Sequence, residues 1–245
     1  MVNGISHLLP QAVLDSIAES QICLSNKDDK ADSKGGFSLI SCWNLIRIKR
    51  MPKTWSDVIW KAAVPPKISF FMWKLFHDAI PIDSKISQCG VQLASCCNCC
   101  TSSKCEDINH LLVDSELANY IWHSMSRIFV FSLFPNESIK ARLMRICSRR
   151  YRSSLVGELT KVVPLIICWE ILKERCNRRY DNKASSSITI LKRVVNDLQD
   201  CSFLSKPSKD ATHAEEIVLS CLNIQPKCYQ QRKKIIVKWL KIPSS

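Results

Sequence analysis

The stretch TWSDVIWKAAVPPKISFFMWKLFHDAIP (residues 54–81) decides how the rest of the chain is read. Pro65 and Pro66 open a helix, because the N–H that proline lacks is one of the donors left unpaired at a helix start anyway. Ile68, Phe71, Met72, Leu75, Phe76 and Ala79 then recur at i, i+3, i+4, i+7, i+8 and i+11, the period of an amphipathic helix. Pro81 is predicted to stop it. Trp43, Trp60 and Trp73 are predicted to lie in the core, with Trp43 and Ile46 one turn apart and facing this helix. Lys67 and Lys74 should run along its edge with their charges in water. His77 falls in the last turn, where the helix dipole and a local hydrogen bond account for it without a catalytic role.

Working outward, SCCNCC (95–100) precedes NHLLVDSELANYIW (109–122). Two cysteines separated by two residues, with a histidine further on, can hold a tetrahedral zinc ion on a short loop. The cluster offers two such pairs, Cys96 with Cys99 and Cys97 with Cys100, and His110 lies ten residues beyond Cys100.

Trp55, Trp60, Val64-Pro65-Pro66-Lys67, Phe70, Trp73, His77 and Pro81, then a Cys-x-x-Cys pair, His110-Leu-Leu and a closing Ile121-Trp122, stand in a characteristic order. In this order the chain resembles the zinc-binding domain of plant reverse transcriptases. That domain lies between the polymerase and ribonuclease H domains of LINE-type (non-LTR) retrotransposons. GGFSLISCWNLIR (35–47) resembles the family's opening segment, and CWEILKERCNRRY (168–180) its tail, with Cys176 interrupting an Arg-Asn pair. QRKKIIVKWLKIP (231–243) resembles the linker ahead of ribonuclease H. The resemblance implies zinc held by Cys97, Cys100 and His110. The family's fourth ligand is a cysteine five residues after the histidine, where this chain has Ser115, a poor zinc ligand beside thiolate and imidazole. Cys105 and Cys96 are the candidate replacements.

Charge separates the two halves. Residues 1–123 carry 12 Lys+Arg against 12 Asp+Glu, and residues 124–245 carry 23 against 10, which accounts for the formal charge of +13. A basic half of this kind points to a polyanionic partner, RNA or DNA. SIKARLMRICSRRY (138–151) sets Ile139, Leu143 and Ile146 on one side of a helix. A longer helical pattern over 155–183 is predicted to kink or divide at Pro164. SSSITILKRVVNDLQD (185–200) has serine caps and an apolar stripe of Ile188, Leu191, Val195 and Leu198. The predicted nucleic-acid-binding residues are Arg142, Arg145, Arg149, Arg150, Arg152, Lys173, Arg175, Arg178 and Arg179, because arginine's planar fork bonds phosphate oxygens in pairs and stacks on bases.

The predicted fold is mostly α-helical: a small zinc-knuckle-like helical domain at 37–123 followed by a basic helical region at 124–222. A polar N-terminal linker (1–36, with a weak helical pattern at Leu14, Ile17 and Ala18) and a C-terminal linker (223–245) flank them. The N-terminal residues lack a basic stretch followed by an apolar one, so a nuclear or cytoplasmic, non-membrane setting is expected, with most of the 14 cysteines as free thiols buried like small hydrophobes. Paired carboxylates that hold two metals for phosphoryl transfer are not recognisable, nor is a phosphate-cradling glycine loop. The expected function is therefore non-catalytic, retrotransposon-derived nucleic-acid binding. The alternatives are a protein–protein scaffold using the aromatic surface, or a transposon relic without a selected role.

Overall fold

In the computed structural model the described residues are 54–101, 104–205 and 209–225, all within the second of two units into which the chain divides, residues 53–245. The readings of Leu14, Ile17, Ala18, Trp43, Ile46 and residues 35–47 and 231–243 fall outside them. Among the described residues the regular elements are all helical: α1 (Thr54–Trp60), α2 (Pro66–Phe76), α3 (Asp83–Gln88), a π-helical turn (His110–Asp114), α4 (Glu116–Phe129), α5 (Ile139–Cys147), α6 (Leu155–Tyr180), α7 (Ser187–Leu204) and α8 (His213–Cys221). The mostly-α fold is therefore the observed one.

The proline pair starts α2 at Pro66 as the sequence implied. Its end comes earlier than Pro81. Asp78 adopts a left-handed conformation (φ 53°), its N–H bonds the Leu75 carbonyl at 3.2 Å, and the Ala79 N–H bonds that of Lys74 at 2.9 Å. That pair of bonds closes a helix on a left-handed residue and satisfies its last carbonyls. Ala79 is thus outside the helix and exposed. Serine or threonine caps account for five further starts: Ser115, Ser138, Ser154, Ser186 and Thr212 each accept a backbone N–H from the first turn of α4, α5, α6, α7 and α8.

Helix α6 is the axis of the fold. It packs against α2, α4, α5, α7, α8 and the π turn. Val162 through Cys168 are all buried, so this segment is covered on every side. The helix is neither divided nor ended at Pro164. Its neighbours on all faces hold it together where one backbone hydrogen bond is missing. In its first turn, a Cβ on Gly157 would lie 1.9 Å from the Arg152 carbonyl oxygen, so only glycine lets the preceding loop press against the helix there.

One apolar core runs through the described residues. Ile68, Phe71, Met72 and Leu75 of α2 join Leu111, Leu112, Ile121, Trp122 and Met125, and the core continues through Leu143, Ile146, Ile166, Ile167 and Val194. The boundary read between residues 123 and 124 falls inside α4, whose Trp122 and Met125 face this same core. On α7 the buried stripe is Ile190, Val194, Leu198 and Cys201. It is rotated from the sequence reading: Ile188 is exposed, and Leu191 and Val195 only flank the core. The tryptophan expectation also needs correcting, since Trp60 is 54% and Trp73 36% exposed. Of the eleven described cysteines, Cys97, Cys99, Cys147, Cys168 and Cys201 are buried, whereas Cys89, Cys96, Cys105 and Cys221 are exposed. No helix among the described residues is long and apolar enough to cross a membrane.

Candidate metal centre and nucleic-acid interface

The structure brings Cys97 and Cys100, rather than Cys96 and Cys99, to His110. The two sulfurs and an imidazole nitrogen lie within 4.8 Å of one another, with the Cys100 Sγ 3.3 Å from His110 Nε2. Zinc bonds of about 2.3 Å to sulfur and 2.0–2.1 Å to nitrogen place tetrahedral ligand atoms roughly 3.5–3.8 Å apart. The donor set therefore fits three corners of such a site with little movement.

Local structure explains the convergence. The Cys97 N–H bonds the Lys104 carbonyl at 2.8 Å and closes the loop on itself. Asp107 Oδ1 accepts the N–H groups of Asn109 and His110 (2.8 and 2.9 Å), which starts the π turn and carries His110 over the loop. Helix α4 points its first turn at the sulfurs: the Glu116 N–H bonds Cys100, and the Glu116 carboxylate takes both the N–H and the hydroxyl of Thr101 (3.2 and 2.7 Å). A hydrogen bond from Cys99, helped by nearby His110, holds the Cys97 thiol below the usual cysteine range despite its burial. That favours the thiolate a metal needs. Cys99 is pushed the other way, first by the same hydrogen bond and then by burial. Cys100 is raised by burial, with the Glu116 N–H acting in the opposite sense.

The fourth corner is not supplied by another histidine, cysteine or carboxylate among the described residues: Cys96 and Cys105 stand outside the cluster, and both are exposed. Ser115 has a different task. Its hydroxyl is fully buried, donates to the Leu111 carbonyl at 2.9 Å and accepts the Ala118 N–H at 3.1 Å, so it caps α4.

The nine cationic residues predicted for nucleic acid divide sharply. Arg142 is only 4% exposed, lies over the Trp122 ring and meets Glu137 at 3.4 Å, while Arg145 bonds Glu137 through two nitrogens (2.6 and 2.7 Å). These arginines hold the Glu137 carboxyl below its ordinary range, Arg145 most strongly. Arg152 meets Glu215 at 2.8 Å, and Lys173 pairs with buried Glu170. Arg175 grips Glu106 at 2.6 and 3.1 Å; Arg179 reaches Asp83 at 2.5 Å; Arg178 bonds Glu174 at 2.9 Å and the Asn98 carbonyl at 3.0 Å. Burial opposes the charge on Arg175, but Glu106 and Tyr180 outweigh it and raise its pKa further. Of these nine, Arg149 and Arg150 alone are exposed and meet no carboxylate among the described residues, Arg149 lying 5.7 Å from the centre of the Tyr151 ring.

Sequence reasoning missed this internal network, although one signal was available. Asp83 and Glu106 sit in an apolar, charge-balanced half, and both are now completely or almost completely buried. A buried carboxylate needs a cation, and the surplus arginines of the second half are the source.

A cysteine pair on a loop and a histidine on the π turn thus form a donor group that could hold a metal ion. Residues 37–122 match the family described as zinc-binding in reverse transcriptase. No curated protein and no solved structure matches the chain.

Proposed function

We propose that the chain is a non-catalytic nucleic-acid-binding protein whose metal loop holds a structural zinc ion through Cys97, Cys100 and His110. Bound zinc would cross-link the loop to the π turn and so stabilise the frame that α4 and α6 build around it. The observation that carries the binding reading is the Arg149–Arg150 pair, exposed at the end of α5 beside Tyr151 and facing no carboxylate among the described residues. The formal charge of +13 supports the same reading. The non-catalytic part rests on where the carboxylates are. Asp83, Glu106, Glu137, Glu174 and Glu215 are each engaged by an arginine, and Glu170 by Lys173, so these carboxylates are neutralised by the chain's own cations rather than held open for metal ions.

The test is titration of labelled duplex DNA and RNA with the zinc-loaded chain at several salt concentrations. Each phosphate engaged contributes about −0.9 to the log–log slope on duplex DNA. Replacing Arg149 and Arg150 by alanine should make the slope shallower by roughly 1.8 with little change in sequence preference. Affinity that is flat in salt, or indifferent to both substitutions, removes the proposal.

A further inference from the structure

The outer face of α2 carries an arrangement that the arginine reading does not use. At 3.6 residues per turn, Lys67, Lys74, Phe70, His77 and Trp73 fall within an arc of about 120°. Phe70 is 52% and Trp73 36% exposed, and their rings stack at 5.6 Å between centroids and 18° between planes. Lys74 Nζ lies 5.0 Å from the centre of the Phe70 ring. Lys67 Nζ lies 5.9 Å, and Lys173 Nζ of α6 5.8 Å, from the centre of the Trp169 ring. Neither Lys67 nor Lys74 meets a carboxylate among the described residues; Lys173 is the one of the three that does, pairing with Glu170.

An exposed apolar ring on a folded domain loses the favourable transfer from water that buried rings gain. Here two rings are exposed side by side, with Lys74 over Phe70 and Lys67 one turn before Phe70 on the same helix. Flat aromatic surface bordered by ammonium groups matches flat bases joined by phosphates. A duplex hides its base faces within the stack, so only unpaired bases can use the rings. A protein partner with an apolar face would leave the ammonium groups of Lys67 and Lys74 uncompensated.

We propose that this face of α2 is a stacking platform for single-stranded nucleic acid, with Phe70 and Trp73 taking bases and Lys67 and Lys74 the adjoining phosphates. The proposal rests on the nucleic-acid reading above and adds a second surface, distinct in chemistry from Arg149–Arg150. The experiment uses the full zinc-loaded chain and fluorescence anisotropy with labelled poly-dT and poly-U 20-mers, beside a 20-base-pair duplex. Variants are Phe70→Leu/Trp73→Leu, which keep apolar bulk but remove the rings, and Arg149→Ala/Arg150→Ala. The ring variant should weaken single-strand binding on the order of tenfold or more and leave duplex binding within about twofold. The arginine variant should weaken both ligands. Unchanged single-strand affinity in the ring variant overturns the platform, and if salt-dependent binding persists the reading of Arg149–Arg150 stands alone. Equal losses on single strand and duplex overturn it too, because stacking on unpaired bases predicts a difference. Self-association in sedimentation that the ring substitutions abolish, without a change in single-strand affinity, assigns the face to a second copy of the chain. Absence of binding to any of the three ligands removes both proposals together.

Discussion

Arg175 of α6 and Glu106 of the metal loop, sixty-nine positions apart in the chain, close a two-pronged ion pair at 2.6 and 3.1 Å with both side chains almost wholly out of water. Glu106 also accepts the Asp83 N–H at 3.3 Å, and Arg179 adds a second cation on Asp83. Together with Arg178 on the Asn98 carbonyl, this ties the cysteine loop to the central helix of the fold.

Arg175→Ala or Glu106→Ala, each leaving a buried charge without its partner, should destabilise the protein by ~3–5 kcal/mol. The double replacement Arg175→Ala/Glu106→Ala should cost less than the sum of the single changes. Urea denaturation of the four proteins forms the cycle, and additive losses show that the pair is not coupled.

Metal content should separate ligands from neighbours. Cys97→Ser and His110→Ala should release zinc to a chelator much faster than the parent chain. Ser115→Ala should cost about 1 kcal/mol through loss of the α4 cap but leave the zinc content per chain unchanged. Elemental analysis together with denaturation gives both readouts. Loss of zinc on Ser115→Ala shows that the hydroxyl serves the site.

Arg142 and Arg149 make a paired test within one short segment. Arg142 is buried between Glu137 and the Trp122 ring, so Arg142→Ala should destabilise by ~2–4 kcal/mol through an orphaned carboxylate and lost packing. Arg149 is exposed, and Arg149→Ala should change stability by less than about 0.5 kcal/mol while weakening polyanion binding. Thermal melts and salt titrations on the same samples distinguish the two roles, and matching melting shifts contradict the division.

Stability should also depend on one buried acid near neutral pH. Burial, with Asp197 of α7 facing it, pushes the Glu170 carboxyl up to about 7, although Lys173 pulls in the other direction. The folded protein then keeps this proton between pH 4.5 and 7 where the unfolded chain releases it. Stability from this group falls as pH rises through that window, by on the order of 3 kcal/mol, and levels off above it. Glu137 and Glu215 have lowered pKa values and act oppositely, losing stability below the usual carboxylate range. Denaturation at pH 5, 6, 7 and 8 should show the decline, and Glu170→Gln should flatten it. A flat parent profile over the same range rules it out.

Local chemistry is legible without a fold. The proline pair, the 3.6-residue period of 68–76 and the serines ahead of α5, α6 and α7 act within one or two turns, so residue order alone determines those helices. Spacing likewise narrows the metal ligands to two cysteine pairs and one histidine. Which pair meets His110 depends on the loop closed by Cys97 and Lys104 and on the approach of α4, and these are tertiary contacts. Charge is where sequence and structure part most. Counting places a cationic surplus in the second half but cannot say which cations face water. Asp83 and Glu106 bury themselves in the first half and recruit Arg175 and Arg179 across the core, because an unpaired charge out of water costs more than the pair. For the same reason the aromatic period of α2 could not say which rings stay outside. Phe71 is covered where α6 packs, and Phe70, its neighbour in sequence, is turned about 100° around the helix and left exposed.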